Sequence, residues 1–318
     1  MERKMAQNIA DDIEAVITSY NQGEMILDAV RSVCSQTLLP ARIILVDDGS
    51  TEEESVRIME KMQKTESYPV PLDVIRQENR GVSAARNTGL RAVQTPYALV
   101  LDGDDKLKPQ YLEKVRELLH GDTSMVAASS WMQTFGVLDA VVKPGGGTIG
   151  AFLSRNCCPA THLLKLEAWK ACGGYDESMR AGFEDWDFFL SILETGKDTR
   201  IGIVPESLLD YRTAPASANV KSMSKRLELI RFLMEKHETS YRKHFIDAVL
   251  GLESISMARL EGWEQEMIRT LDSGEKLASD SEKFLASPSY GDGGMAAAVR
   301  IVSQIRRFQP RDNKKKTE

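Results

Sequence analysis

Between residues 13 and 102, short apolar runs alternate with helical stripes, and three of these runs end in a polar or acidic string. Ile13-Glu14-Ala15-Val16-Ile17 leads into Thr18-Ser19-Tyr20-Asn21. Arg42 to Val46 leads into Asp47-Asp48-Gly49-Ser50, and Tyr97 to Leu101 into Asp102-Gly103-Asp104-Asp105. Between them, Ile26, Leu27, Val30, Val33 and Cys34 share one helical face. Glu52 to Thr65 and Val82 to Val93 read as further helices, and Leu72 to Arg76 as another strand. This βαβα order, with short linkers, predicts an α/β fold: a mostly parallel, Rossmann-like sheet with helices on both faces. The carboxyl ends of strands in such a sheet share one crevice, where ligands bind. A third acidic string, Gly182-Phe183-Glu184-Asp185-Trp186-Asp187, opens a helical pattern. Three acidic clusters facing one cavity repel unless a cation or a ligand's donors offset them, which points to a divalent metal and a phosphate-bearing substrate.

Pro109 opens another helix, with Tyr111, Leu112, Val115, Leu118 and Leu119 on one face. Beyond residue 121, Met125 to Trp131 and Val137 to Val142 read as strands, Gly145-Gly146-Gly147 as a flexible loop and Phe183 to Leu193 as a helix. Ile201 to Val204 and Leu208 to Arg212 read as two more strands. From about Ser222 the pattern is helical only. One stripe holds Leu227, Ile230, Leu233 and Met234, a second Ile246, Val249, Leu250, Met257 and Leu260, and a last helix covers Ala296 to Phe308. The expected division is therefore residues 1–220 as the α/β catalytic domain and 221–318 as an all-α extension ending in a basic tail, Arg306 to Lys316.

A net charge of -6 argues against a nucleic-acid binder. No run approaches the roughly 18 apolar residues of a membrane span, and Met1 to Asp12 lacks the apolar stretch of a secretory signal. Cys34, Cys157, Cys158 and Cys172 show neither zinc spacing nor a disulfide framework, which fits a reducing cytoplasm.

Each string alone has an ordinary reading. Asp-Gly-Asp-Asp is a common solvated turn, Ser50 or Thr51 a helix cap, Tyr20 a packing residue, and Glu184-Asp185 a helix start favoured by acidic residues. Their chemical reading is more specific. Asp102 and Asp104, two residues apart at a strand end, can face one side and hold Mg²⁺ or Mn²⁺ with positions left for phosphate. The Asp47-Asp48 string offers a carboxylate to a base's ring N–H, and Tyr20 a stacking face. A carboxylate of the Glu184-Asp185 pair could serve as general base beside a bound sugar.

Together the strings resemble the family 2 glycosyltransferases, nucleotide-sugar enzymes of the GT-A fold. The resemblance covers roughly residues 13 to 213. It includes Ser35-Gln36-Thr37, Asn79-Arg80-Gly81-Val82-Ser83-Ala84-Ala85-Arg86-Asn87 and Gly173-Gly174-Tyr175-Asp176. It implies that Thr18, Tyr20 and Asn21 lie by the nucleotide base and Asp48 contacts it, with Arg80 or Arg86 nearby. Asp102 would hold the ribose or the metal's water shell, Asp104 the Mn²⁺ or Mg²⁺ ion, and Arg212, in the looser Tyr211-Arg212 match, the donor diphosphate. Asp185 would be the catalytic base and Glu184 would position the acceptor. The implied reaction is inverting transfer of a sugar from a nucleoside-diphosphate donor, a UDP-sugar being favoured, to a hydroxyl of a carbohydrate or lipid-linked acceptor in polysaccharide or glycoconjugate synthesis. Residues 145 to 165 match no pattern and are where acceptor choice is expected. The C-terminal helices are candidates for oligomer contacts, and the basic tail for peripheral contact with the inner membrane face. The competing readings are a nucleotidyltransferase, which lacks its Gly-rich triphosphate loop here, and a sugar-nucleotide-binding or scaffolding protein on the same fold. A dinucleotide-binding dehydrogenase is excluded, because no Gly-x-Gly-x-x-Gly follows the first strand.

Overall fold

The computed structural model describes residues 8–65, 68–215 and 217–308. The chain divides into two compact units, Met1–Ala248 and Val249–Glu318. In the first, strands and helices alternate as the pattern requires: β1 (Ile9–Ser19), α1 (Met25–Cys34), β2 (Leu39–Asp47), α2 (Glu53–Gln63), β3 (Leu72–Arg76), α3 (Val82–Ala92) and β4 (Tyr97–Asp102). Next come β5 (Lys106–Leu107), α4 (Tyr111–Gly121), β6 (Met125–Gly136), β7 (Val141–Val142), β8 (Gly147–Thr148), α5 (Ile149–Phe152), β9 (His162–Lys165) and α6 (Leu166–Cys172). The unit continues through α7 (Glu184–Leu193), β10 (Arg200–Thr213), α8 (Ala218–Ser222), α9 (Arg226–Lys236) and α10 (Glu238–Lys243). Helix α11 (Phe245–Asp272) runs on into the second unit, which also holds α12 (Ser279–Ala286) and α13 (Gly294–Phe308).

The sheet has the order β3-β2-β1-β4-β9-β6-β10-β5, with β7 beside β6 and β8 beside β10. β3, β2, β1 and β4 run parallel to one another, as β6 and β10 do, while β9 lies antiparallel between β4 and β6. The apolar runs are uninterrupted because both faces of the sheet are covered. On one side Ile17, Leu45 and Leu101 pack with residues of α1 and α4. On the other, Val16, Ile44 and Val100 pack with residues of α3 and α7. Register levels the strand ends, since Thr18 pairs with both Val46 and Asp102, and Ser19 with Asp47. The polar strings of β1, β2 and β4 therefore emerge side by side.

Three boundaries differ from the sequence pattern. The two strands expected at 201–204 and 208–212 are one strand, β10, whose register against β6 shifts between Val204 and Ser207. That shift accommodates Pro205, which has no N–H for the ladder. Of the run Val137 to Val142 only Val141–Val142 pairs, because Gly136, at φ 95, turns the chain. The boundary drawn at residue 220 falls inside the first unit: Leu233, Tyr241 and Ala248 belong to its core. Of the stripe at 227–234, Leu233 is fully buried whereas Leu227 is 83% exposed. In the second unit, Arg300 forks onto Glu264 at 2.7 and 2.8 Å, tying α13 to α11. Apart from the end of α13, the basic tail lies outside the described residues. Among the described residues no helix is long and apolar enough to cross a membrane.

Opposite the cleft-facing ends, buried Glu14 on β1 accepts Arg42 Nε and Nη2 at 3.2 and 3.0 Å and the Gln94 N–H at 2.9 Å. Arg42 also reaches Asp73, which is largely exposed. Losing one partner of a buried pair leaves a charge unpaired. Arg42→Ala is expected to cost about 3 kcal/mol in urea unfolding, and Asp73→Ala less than about 1 kcal/mol.

Candidate active site

At the carboxyl ends of β1, β2 and β4 opens a cleft of about 730 Å³, lined by Thr18, Tyr20, Asp48, Arg80, Arg86, Asp102, Asp104, Glu184 and Arg212 among others. Its floor depends on a glycine. Gly103 N–H donates to Thr18 O at 2.9 Å, and a Cβ on Gly103 would fall 2.6 Å from that oxygen and 2.7 Å from Ile26 Cδ1. Only glycine lets the Asp102-Gly103-Asp104 turn lie against the end of β1.

Arg86, on α3, is fully buried beneath this floor. Its Nη2 donates to both Asp102 oxygens at 2.7 and 2.9 Å, and its Nη1 to Glu184 Oε1 at 3.3 Å. Burial opposes its charge, but Asp102 foremost, with Tyr175 and Glu184, outweighs that and raises its pKa further. The next residue does parallel work. Asn87 Oδ1 accepts from Tyr175 N–H at 2.9 Å and Trp169 Nε1 at 3.2 Å, and its Nδ2 donates to Tyr175 O at 2.8 Å. The Arg86-Asn87 and Gly173-Gly174-Tyr175-Asp176 strings thus belong to one construction.

Asp48 holds the loop before α3. Its Oδ1 accepts Gln77 Nε2 at 2.7 Å and the Arg80 N–H at 3.0 Å, and its Oδ2 the Gly81 N–H at 2.8 Å. Tyr20 stands at the mouth, 47% exposed. Asn21 is not among the lining residues. It adopts φ 50, and its Oδ1 accepts the Thr51 and Glu52 N–H groups at 2.8 and 3.1 Å, satisfying donors at the start of α2.

Burial and then the Asp102 carboxylate push the Asp104 carboxyl up, and Asp105 more strongly, with Asp104 adding to the push. Arg212 answers part of this. Its N–H donates to Asp105 Oδ1 at 2.9 Å and its Nε to Asp104 O at 3.3 Å, while its guanidinium lies 4.7 Å from the Phe135 ring centre. Among the described residues no group of three or more His, Cys, Asp or Glu is arranged to hold a metal. An ion here would have to complete its shell with substrate and water.

Glu184 and Asp185 open α7. Glu184 lines the cleft, whereas Asp185 is not among the lining residues. Asp185 Oδ2 accepts Asn156 Nδ2 at 2.9 Å and its Oδ1 the Trp186 N–H at 2.8 Å. Burial first, and then the Glu184 carboxylate, push its carboxyl up to about 7. Asp187 points to another face of α7, as helical spacing requires. That face is the interior: Asp187 is 1% exposed and bonded to Lys236 Nζ and His237 Nε2. A mild effect for Asp187→Asn, which spacing alone would suggest, is therefore not expected.

Asn87, Asn156 and His237 escape a sequence reading because their partners are 88, 29 and 50 residues away. Asn87 alone carried a signal, through its place in the Arg-Asn string. Cys157 and Cys158 are buried, and burial raises both thiols, so they are packing groups.

Residues 14–151 match the family described as Glycosyl transferase family 2. An uncharacterized glycosyltransferase of Bacillus subtilis (strain 168), YwdF, is 26% identical over 274 residues, 80% of this chain and 94% of that protein. Chondroitin synthase of Escherichia coli is 25% identical over 188 residues, 58% of this chain and 27% of the synthase. Among solved structures, S. aureus TarS 1-349 in complex with UDP matches 92% of this chain and 81% of its own at TM-score 0.56 and 14% identity. Its complex with UDP-GlcNAc matches the same shares at TM-score 0.57 and 13% identity. These likenesses establish a shared GT-A fold.

Arg86 lowers the carboxyls of both Asp104 and Asp185 through its charge. Arg86→Met should therefore raise the Asp185 midpoint above about 7 in a carboxyl ¹³C titration. By leaving Asp102 and Glu184 without their cation, it should also cost about 3–5 kcal/mol in urea unfolding.

Proposed function

We propose that this chain, whose residues 14–151 belong to glycosyl transferase family 2, moves a sugar from a nucleoside-diphosphate donor to an acceptor hydroxyl with inversion. The observation that carries the reading is Arg86. One buried cation joins Asp102, at the strand end expected to hold the donor, to Glu184, at the helix start expected to meet the acceptor. UDP and UDP-GlcNAc are bound by the TarS structures that share the fold, which favours a UDP-sugar.

In this reading Tyr20 stacks on the base, and Asp48, with a lone pair left on Oδ2, accepts its ring N–H. Thr18 lies beside them, 3.5 Å from Asp102. Asp102 holds a ribose hydroxyl or the metal's water shell. Crowded Asp104 suits a Mn²⁺ or Mg²⁺ ion, because such hard cations take one or two carboxylates and fill the rest with phosphate and water. When bound, the ion supplies positive charge against the departing diphosphate. Arg212 would meet the same diphosphate, and Arg80 the nucleotide at the mouth. Asp185 accepts the acceptor proton as its oxygen attacks the anomeric carbon opposite the leaving group, while Glu184, steadied by Arg86, orients that hydroxyl. A carboxylate near 7 is matched to proton transfer at neutral pH. One base in a single displacement gives inversion, by the logic that separates glycosidase classes. The acceptor is a carbohydrate or lipid-linked alcohol of glycoconjugate or polysaccharide synthesis, and the four free cysteines fit a cytoplasmic setting.

A thermal-shift panel of nucleotide sugars with Mn²⁺ should raise the melting temperature for a UDP-sugar, by mass action. Asp104→Asn should abolish both the Mn²⁺ stimulation and the hydrolysis of that donor. Full hydrolysis in excess chelator would sink the metal assignment.

The second test separates chemistry from binding. Asp185→Asn should leave UDP affinity nearly intact while lowering turnover by about 10²–10⁴-fold. An unchanged rate would move the base to Glu184.

A further inference from the structure

We propose that the turn from Lys236 to Tyr241, outside every string that carries the family likeness, is a positioning element for the Glu184-Asp185 pair. The proposal rests on Asp185 being the base, and on the contacts that this turn makes.

Asp187 lies one half-turn beyond Asp185 on α7 and faces the interior. Its Oδ2 accepts Lys236 Nζ at 2.8 Å, and its Oδ1 lies 3.1 Å from His237 Nε2. His237 Nδ1 lies 3.0 Å from Glu194 Oε2, just past the last residue of α7. One imidazole ring therefore spans α7 from its first turn to its end. Each ring nitrogen faces a carboxylate oxygen, which can only accept, so both must carry hydrogen and the ring is an imidazolium. Burial opposes that charge, and the bonds to Asp187 and Glu194 outweigh it, raising the pKa.

Lys236 donates a second bond, 2.6 Å, to Asp176 Oδ2 in the Gly173-Gly174-Tyr175-Asp176 string, whose Tyr175 backbone is gripped by Asn87. Tyr241 Oη donates to Leu153 O at 2.9 Å. Three residues further on, Asn156 donates to Asp185 itself, and Trp186 Nε1 donates back to Phe152 O at 2.6 Å. The turn thus grips three segments that converge on Asp185: α7, the loop before it and the stretch 152–156. The charged groups around His237 are Asp187 and Glu194 from α7, Lys236 from its own turn and Asp176 beyond Lys236. Cys172 lies near enough to feel Asp187 and Lys236. Buried ion pairs add little net stability. What this one supplies is a fixed geometry, and misplacing a catalytic group by about 1 Å can cost about 10²-fold.

The test titrates the Asp185 carboxyl by ¹³C NMR in the full chain, its resonance identified by its loss in Asp185→Asn. The wild-type midpoint is expected near 7. In His237→Gln, loosening of the first turn of α7 admits water, and the midpoint should fall by about one unit or more toward the ordinary carboxylate range. UDP affinity, measured by calorimetry with UDP alone, should stay within about twofold while sugar transfer falls about 10- to 100-fold. A folded His237→Gln protein with an unmoved midpoint overturns the proposal, and so does joint loss of UDP binding, which marks general loosening. If His237→Gln does not fold, Tyr241→Phe, which removes one hydrogen bond, should move the midpoint the same way, and an unmoved value overturns the proposal. A shifted midpoint beside normal turnover of Asp185→Asn would leave the positioning intact and remove Asp185 as the base.

Discussion

A buried arginine shared by two carboxylates sets the geometry of this site. At about 4 Å and an effective dielectric of about 20, each charge pair is worth roughly 4 kcal/mol before desolvation. Burying Arg86 returns much of that gain, so its role is arrangement more than stability. Without it, Asp102 at the end of β4 and Glu184 at the start of α7 would repel across the cleft. With it, a strand end and a helix start far apart in sequence face one another. Asn87 repeats the device with neutral bonds, fixing the loop that leads toward α7. Two consecutive residues of one helix therefore join the strand-end side of the cleft to the start of α7 and the loop before it.

The strand-end side of the cleft was legible because its order is local. An apolar run followed by a polar string is a strand followed by its carboxyl end, and parallel register brings such ends level, as Thr18 opposite Asp102 demonstrates. The second side was legible only as strings. Strand β9 enters antiparallel between β4 and β6, and nothing in its four residues announces a neighbour. Asn21 has two readings for a physical reason: an Asn after a strand suits a ligand, but it equally suits the left-handed turn and the free N–H groups that begin α2. Asp187 poses a different problem. Helical spacing sends it away from Asp185, but spacing does not reveal whether the far face meets water or a lysine and a histidine from beyond the expected domain boundary.

The same residues explain how neighbouring carboxyls acquire different chemistry. Glu184 and Asp185 share a helix turn, yet Glu184 faces Arg86 whereas Asp185 meets an amide and a backbone N–H. Burial raises Asp185, and the Glu184 carboxylate beside it raises it further. Arg86 pulls the other way and lowers Asp185 through its charge, so burial and the neighbouring carboxylate prevail against it; environments that push two carboxyls apart sort them into different roles. Asp104 and Asp105 carry the same tension nearer the strand end, where Arg212 answers only part of it. A cation arriving with a diphosphate would relieve that crowding, and the relief would couple donor binding to the state of the cleft. The inward-facing Asp187 of α7 and Glu194 at its end need no such visitor, because Lys236 and His237 answer them from within the fold.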